Sequence, residues 1–228
     1  MTFTKKDEAV LIGLILGDGY LSKDNKLKIV HSEKQKEYCI YKAKLMHSVF
    51  GGNPIIVHDA FQKYTTWINK ERISKTAKVV WIQKGSKALE GWRNRIYINS
   101  NKVYTRDLLN KMDETSLLLW WLDDGNLDCH KSGSGSICWA LRWNIFTTKE
   151  EIKTIQQYFK EVWNINWNIR QLDKRSPNKW SLCCGEIEGE KFLSLFRDKV
   201  LKCIPSMAYK VLFSDTRAKH LVESEDIV

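Results

Sequence analysis

Leu11-Ile12-Gly13-Leu14-Ile15-Leu16-Gly17-Asp18-Gly19 and Leu117-Leu118-Leu119-Trp120-Trp121-Leu122-Asp123-Asp124-Gly125 share one design, an apolar helical run that stops at Asp-Gly. A carboxylate at a helix C-terminus faces the negative end of the macrodipole, at a cost of a few tenths to about 1 kcal/mol. Stability alone seldom selects that twice. If the two helices pack side by side in parallel, Asp18 and Asp124 converge, and their repulsion raises a pKa unless a cation sits between them. The paired motifs therefore point to a divalent metal. The two aspartates are 106 residues apart (124 minus 18) in a chain of 228, close to half its length, which suggests a duplicated unit.

The flanks repeat as well. After the first motif come Tyr20-Leu21-Ser22, a polar turn over 23–26 and the alternating Leu27-Lys28-Ile29-Val30-His31, which read as a strand pair. A helix is expected from Glu33 to Val49, ended by Gly51-Gly52, then strands near 55–58, 65–69 and 77–83 and a short helix over 87–94. After the second motif come a Gly- and Ser-rich loop at 132–136, a strand over 137–146 and a helix over 149–162. Thr148 and Glu151 offer that helix a capping box. Strands near 166–172 and 180–184 and a helix over 189–201 complete the second half. Each half reads αββαββα, an α+β fold with antiparallel sheets covered by helices on one face and open on the other, which suits a groove-shaped ligand.

Composition narrows the partner. Hydrophobic residues make up 43% of the chain, with ten Trp, enough for a substantial core, and the longest apolar run is too short to span a bilayer. The formal charge of +10 and pI near 9.2 favour a polyanion. Between Phe61 and Lys111 twelve Lys or Arg stand against three acids, with Trp67, Trp81 and Trp92 interleaved. Such a run reads either as a solvated face or as a polyanion contact. The six cysteines show no C-x-x-C spacing and follow no secretory signal, so a disulfide framework is not expected and the compartment reads as reducing and intracellular.

Gly13 and Gly17 are four apart and share a helix face that lets another backbone come close. The equivalent positions of the second motif are Leu119 and Asp123, so the pair is asymmetric and the halves are not interchangeable. With Leu11, Gly13, Leu14, Ile15, Asp18 and Gly19 in place, the first motif resembles the signature of the LAGLIDADG homing endonucleases, in their single-chain branch. The second keeps Leu117, Asp124 and Gly125 and carries Trp120-Trp121 where smaller aliphatic residues are usual. The segment Ile204-Pro205-Ser206-Met207-Ala208-Tyr209-Lys210 also resembles that branch.

The resemblance implies two pseudo-symmetric halves, 1–111 and 112–228, with the motif helices at their interface and two sheets saddling the DNA major groove. It implies a monomer that hydrolyses both strands of a long asymmetric DNA site using Mg2+, with Mn2+ as a substitute. Asp18 and Asp124 are the expected metal ligands, which suits a cation that prefers oxygen donors and keeps its waters. The resemblance adds the carbonyls of Gly17 and Asp123 as ligands and Lys102 and Lys210 as one basic catalytic residue per site. His31, Ser32 and Glu33 form a weaker accessory set. Lys28, Lys63, Lys70, Arg72, Lys78, Arg170, Lys174, Arg175 and Lys179, on or beside the expected strands, are the expected DNA contacts. An intron-encoded RNA maturase, or a non-cleaving DNA-binding protein of the same fold, is the alternative.

Overall fold

In the computed structural model, which describes residues 2–68, 71–131, 137–172 and 179–213, both motifs lie on helices at the centre. Thr4 caps α1 (Lys5–Leu16) through a capping box with Asp7, and every residue from Ala9 to Leu16 is buried. Asp113 caps α5 (Glu114–Asp124) in the same manner with Ser116, and Thr115 to Leu122 are buried. Helices apolar on all sides must be surrounded by protein, and these two pack on each other. The contact is close because Gly13 has no side chain: a Cβ there would lie 2.7 Å from Ser116 Cα and 2.9 Å from its carbonyl oxygen. Ser116 Oγ donates to the Ala9 carbonyl at 2.8 Å, a buried bond across the interface.

One antiparallel sheet hangs from each helix. The first comprises β1 (Tyr20–Leu21), β2 (Lys26–Ser32), β3 (His58–Ile68) and β4 (Glu71–Gly85), in the order β1-β2-β4-β3. The second comprises β7 (Gly125–Lys131), β8 (Ile137–Phe146), β9 (Asn168–Gln171) and β10 (Lys179–Gly185), in the equivalent order β7-β8-β10-β9. Helix α2 (Lys36–Phe50) covers one face of the first sheet, and α6 (Lys149–Trp163) with α7 (Glu186–Ser194) covers one face of the second. Thr148 and Glu151 form the expected capping box on α6. The buried face of β8 carries Leu141, Trp143 and Ile145, and Trp143 sits among Trp120, Trp121, Phe159, Trp167 and Phe192 with ring centroids 4.5–5.9 Å apart. That aromatic core explains why tryptophans replace aliphatic residues in the second motif.

Several boundaries differ from the sequence expectation. The three strands expected over 55–83 are two long ones, β3 and β4, joined in continuous register from His58↔Trp81 to Ile68↔Glu71. The helix over 87–94 is a 3-10 turn at 87–89 followed by α3 (Trp92–Ile96), because Gly91 interrupts it at φ 78°. The helix over 189–201 is two, α7 and α8 (Arg197–Cys203). A small hairpin of β5 (Tyr97–Ile98) and β6 (Asn101–Lys102) precedes α4 (Arg106–Leu109), and neither was expected. Asn99 and Ser100 make its turn in the left-handed region, a conformation that short alternation patterns do not announce. All six cysteines are free thiols, and among the described residues no helix is long and apolar enough to cross a membrane.

Candidate active site

The C-terminal ends of α1 and α5 meet over a cleft of about 440 Å3 lined by Gly17, Asp18, Tyr20, Lys102, Asp124 and Asn144, among others. The structure thus brings Asp18, Asp124 and Lys102 together. Lys102, at the end of the β5–β6 hairpin, donates to the Gly17 carbonyl and, at 3.3 Å, to that of Leu16. Lys210 ends the 3-10 turn Pro205–Lys210 and donates to the Gly125 carbonyl. Each lysine thus lies against the backbone of a motif end.

Asp123 takes a part the sequence did not suggest. Its side chain is fully buried and accepts two bonds from Lys42 Nζ, both at 2.7 Å, and one from the Asp18 amide at 2.8 Å. Lys42 comes from α2, is itself fully buried, lies 4.4 Å from the centre of the Tyr38 ring and 3.0 Å from His31 Nε2. An ammonium can only donate, so His31 Nε2 is the acceptor and the proton of the neutral ring is assigned to Nδ1, which faces Asp18 Oδ2 at 3.5 Å. Burial and the Lys42 charge hold the His31 pKa down to about 4. His31 is therefore a buried neutral link between Lys42 and Asp18. Ser32 and Glu33 are exposed, and Glu33 pairs with Lys78 at 3.7 Å.

The tryptophans of the second motif also reach the site: Trp120 Nε1 donates to Asp124 Oδ2 at 3.1 Å and Trp121 Nε1 to the Lys210 carbonyl at 3.0 Å. The sequence held a signal for this, since a Trp placed four residues before an Asp on a helix lies on the same face.

Three carboxylates at one place repel. Burial, then Asp123, raises Asp18 to about 6, while burial with Asp123 and Asp18 raises Asp124 to about 7. Burial lowers the Lys102 pKa. Raised carboxylates are protonated in the folded protein where the unfolded chain has released its protons, so they reduce stability as pH rises from about 4 to about 7. His31 works the other way over an overlapping window. The comparison is therefore wild type against the Asp18→Asn/Asp124→Asn variant in EDTA: the wild-type Tm should fall relative to the variant between pH 5 and 8. A difference independent of pH would contradict the raised pKa values.

The expected DNA contacts divide by strand register. On the first sheet Leu27, Ile29, Val80 and Ile82 face α2, so Lys28 faces the open side, with its ammonium 5.2 Å from the Trp81 ring. Lys63 and Lys78 pair with Thr76 and Phe61 on the face that carries Val80, and so lie on the helix side of the β3–β4 ribbon. They do not join Lys28. Tyr64 and Lys75, a cross-strand pair that the sequence reading did not single out, are exposed on the open side. On the second sheet Arg170 and Lys179 fall in register with Ser181 and Phe146, on the face opposite Leu182 and Trp143. Arg72 pairs with Trp67 at the backbone level in β4, and Lys70, Lys174 and Arg175 lie outside the described residues.

Twin αββαββα units, with two acidic helix ends meeting over a lysine-bearing cleft, define a pseudo-symmetric single-chain nuclease fold. The chain matches the LAGLIDADG DNA endonuclease family over residues 8–192 and belongs to that family. It is 27% identical over 220 residues to a Wickerhamomyces canadensis protein described as probable intron-encoded endonuclease 1, covering 93% of this chain and 87% of that one. Among solved structures it is similar to the homing endonuclease I-WcaI bound to its DNA recognition sequence, with a TM-score of 0.69, 24% identity and coverage of 94% and 89% of the two chains. It is also similar to the homing endonuclease I-GzeII in complex with its DNA target, with a TM-score of 0.50, 8% identity and coverage of 99% and 92%.

Proposed function

We propose that this member of the family is a site-specific endonuclease that cuts both strands of a long asymmetric DNA, acting as a monomer with one shared centre at Asp18 and Asp124. The observation that carries the reading is that cleft, where two unneutralised carboxylates of different halves face one cavity with Lys102. Asp123 already has a resident cation in Lys42, so Asp18 and Asp124 are the carboxylates left for a divalent metal, with the carbonyls of Gly17 and Asp123 near them. Helix ends leave their last carbonyls without intrahelical donors, and a carbonyl oxygen has two lone pairs, so Gly17 can serve Lys102 and a metal together. The donors are all oxygen, which fits Mg2+ and, as substitute, Mn2+. Bound there, the metal would activate water and neutralise charge at the scissile phosphate.

The protein's own groups do the rest. Lys102 and Lys210, anchored on motif backbone, place positive charge where phosphate oxygens enter and orient water beside them. Lys28, Lys75, Arg170 and Lys179 put basic groups on the open faces of the two sheets, and such groups supply the backbone contacts that fix register on DNA. We divide the chain into halves 1–111 and 112–228. Helix α4, on the first side of that division, packs on α6 of the second, with Arg106 paired to Glu161, and so straps the halves together.

The test is cleavage of a random-sequence library in Mg2+, followed by the same selected site in Ca2+ and in EDTA. Ca2+ should keep binding and lose turnover, because its looser oxygen shell tolerates the site without enforcing in-line geometry. Undiminished cutting in EDTA would defeat the metal reading. Binding without cleavage in Mg2+ would favour the non-cleaving alternative.

A further inference from the structure

The charge beneath the motif ends is asymmetric in a way the fold is not. Helices α2 and α6 are both fifteen residues long and hold equivalent places, and the residue of α6 equivalent to Lys42 (36 to 42, 149 to 155) is Ile155, equally buried. The first-motif residue equivalent to Asp123 is Gly17, at the C-cap of α1, where a Cβ would collide with the Asp123 carboxylate. The Lys42–Asp123 pair therefore crosses from the first half to the second and has no counterpart on the other side. A buried ion pair adds little stability over apolar residues of the same volume, so its presence on one side only calls for a local use.

That use is visible in what the pair touches. Asp123 Oδ2 accepts the Asp18 amide at 2.8 Å, and Lys42 Nζ orients His31, whose Nδ1 faces the Asp18 carboxylate at 3.5 Å. One ammonium thus governs both the main chain and the side chain of Asp18. Donor atoms of Asp18, His31 and Asp123 lie within 4.8 Å of one another, a spacing that could hold a metal ion, but Lys42 Nζ lies at 2.7 Å from Asp123 and 3.0 Å from His31 and supplies the cation itself. Tyr38, under that ammonium, donates its hydroxyl to the Leu119 carbonyl at 3.0 Å and ties α2 to the second motif helix.

We propose that Lys42 is the positioning residue for Asp18, acting through Asp123 on its amide and through His31 on its carboxylate. The kinetic part rests on the endonuclease reading, whereas the positioning itself does not. Lys42→Met removes the ammonium and keeps the volume, leaving Asp123 buried and unpaired. It should lower Tm by on the order of 10 °C. Single-turnover cleavage in Mg2+, measured below the Tm of every variant, should fall at least about tenfold, with DNA affinity in Ca2+ unchanged.

Two double variants separate positioning from folding. Lys42→Met/Asp123→Asn removes the buried charge and keeps an oxygen for the Asp18 amide but leaves His31 without its donor, so it should recover Tm and only part of the cleavage. Lys42→Met/Asp123→Gly removes that oxygen, so it should recover Tm alone. Amide exchange of a peptide spanning 17–19, read by mass spectrometry on the free protein, should stay slow in the first and become fast in the second. Equal cleavage and exchange in the two doubles would make Lys42 structural only and overturn the proposal, as would wild-type cutting by folded Lys42→Met. A Mn2+ ion found among Asp18, His31 and Asp123 with Lys42 displaced would also overturn it. If the wild type cuts no DNA, the endonuclease reading fails and the exchange arm alone decides the positioning claim.

Discussion

Asp18→Asn and Asp124→Asn should each reduce cleavage by on the order of 10^3-fold or more, about 4 kcal/mol of transition-state stabilisation, while binding to the selected DNA site survives. The amide keeps the shape and removes the anionic oxygen that a divalent cation needs. Both positions should matter to a similar extent, since both face the same cleft and both carboxylates are raised by burial and by the Asp123 carboxylate. The variants should fold at least as well as the wild type in EDTA, because each removes a repelled charge. Cleavage and gel shift measured in parallel decide it. Full activity in either variant would sink the shared centre.

Gly13→Ala should damage the contact between the two motif helices directly. Its Cβ would meet Ser116 backbone atoms at 2.7 and 2.9 Å and Leu119 Cβ at 3.2 Å, and backbone cannot swing aside as the end of a side chain can. Alanine improves helix propensity by about 1 kcal/mol, but overpacking against backbone costs more, roughly 3 kcal/mol, so the motif helices must separate. A loss of Tm of roughly 4–8 °C follows from the net 2 kcal/mol in a chain of this length. Cleavage should fall further than stability, because separation of α1 from α5 also parts Asp18 from Asp124. Gly185→Ala, where no atom lies within 4 Å of the new Cβ, is the near-neutral control. A Gly13→Ala protein with unchanged Tm would mean the helix contact is looser than described.

What could be read without coordinates followed physical periodicity. Apolar runs, Thr148 with Glu151 and the half-chain repeat each carry a local signal, and each led to the right element. The β3–β4 ribbon did not, because its strands extend beyond the core and lose the alternation that marks a half-buried strand. The face taken by Lys63 and Lys78 was hidden for a related reason: a single step of register moves a side chain to the opposite face, and the register becomes visible only through the pairing of Lys63 with Thr76 and of Lys78 with Phe61. Lys42 was illegible. A lysine in an amphipathic helix normally faces water, and only the fold shows that it lies beneath Asp123. Trp120 and Trp121 looked like departures from a signature, yet they fill the aromatic core and hydrogen-bond to Asp124 and to the backbone of Lys210.

The central claim is that one chain carries both carboxylates of one centre for one DNA. A crystal of the protein with its selected DNA target and Mn2+, located by anomalous scattering, tests it most directly. The account predicts one protein chain per duplex, with metal held by Asp18 and Asp124 from opposite halves and in contact with the scissile phosphates. Two chains per duplex, or metal bound at neither aspartate, would contradict it.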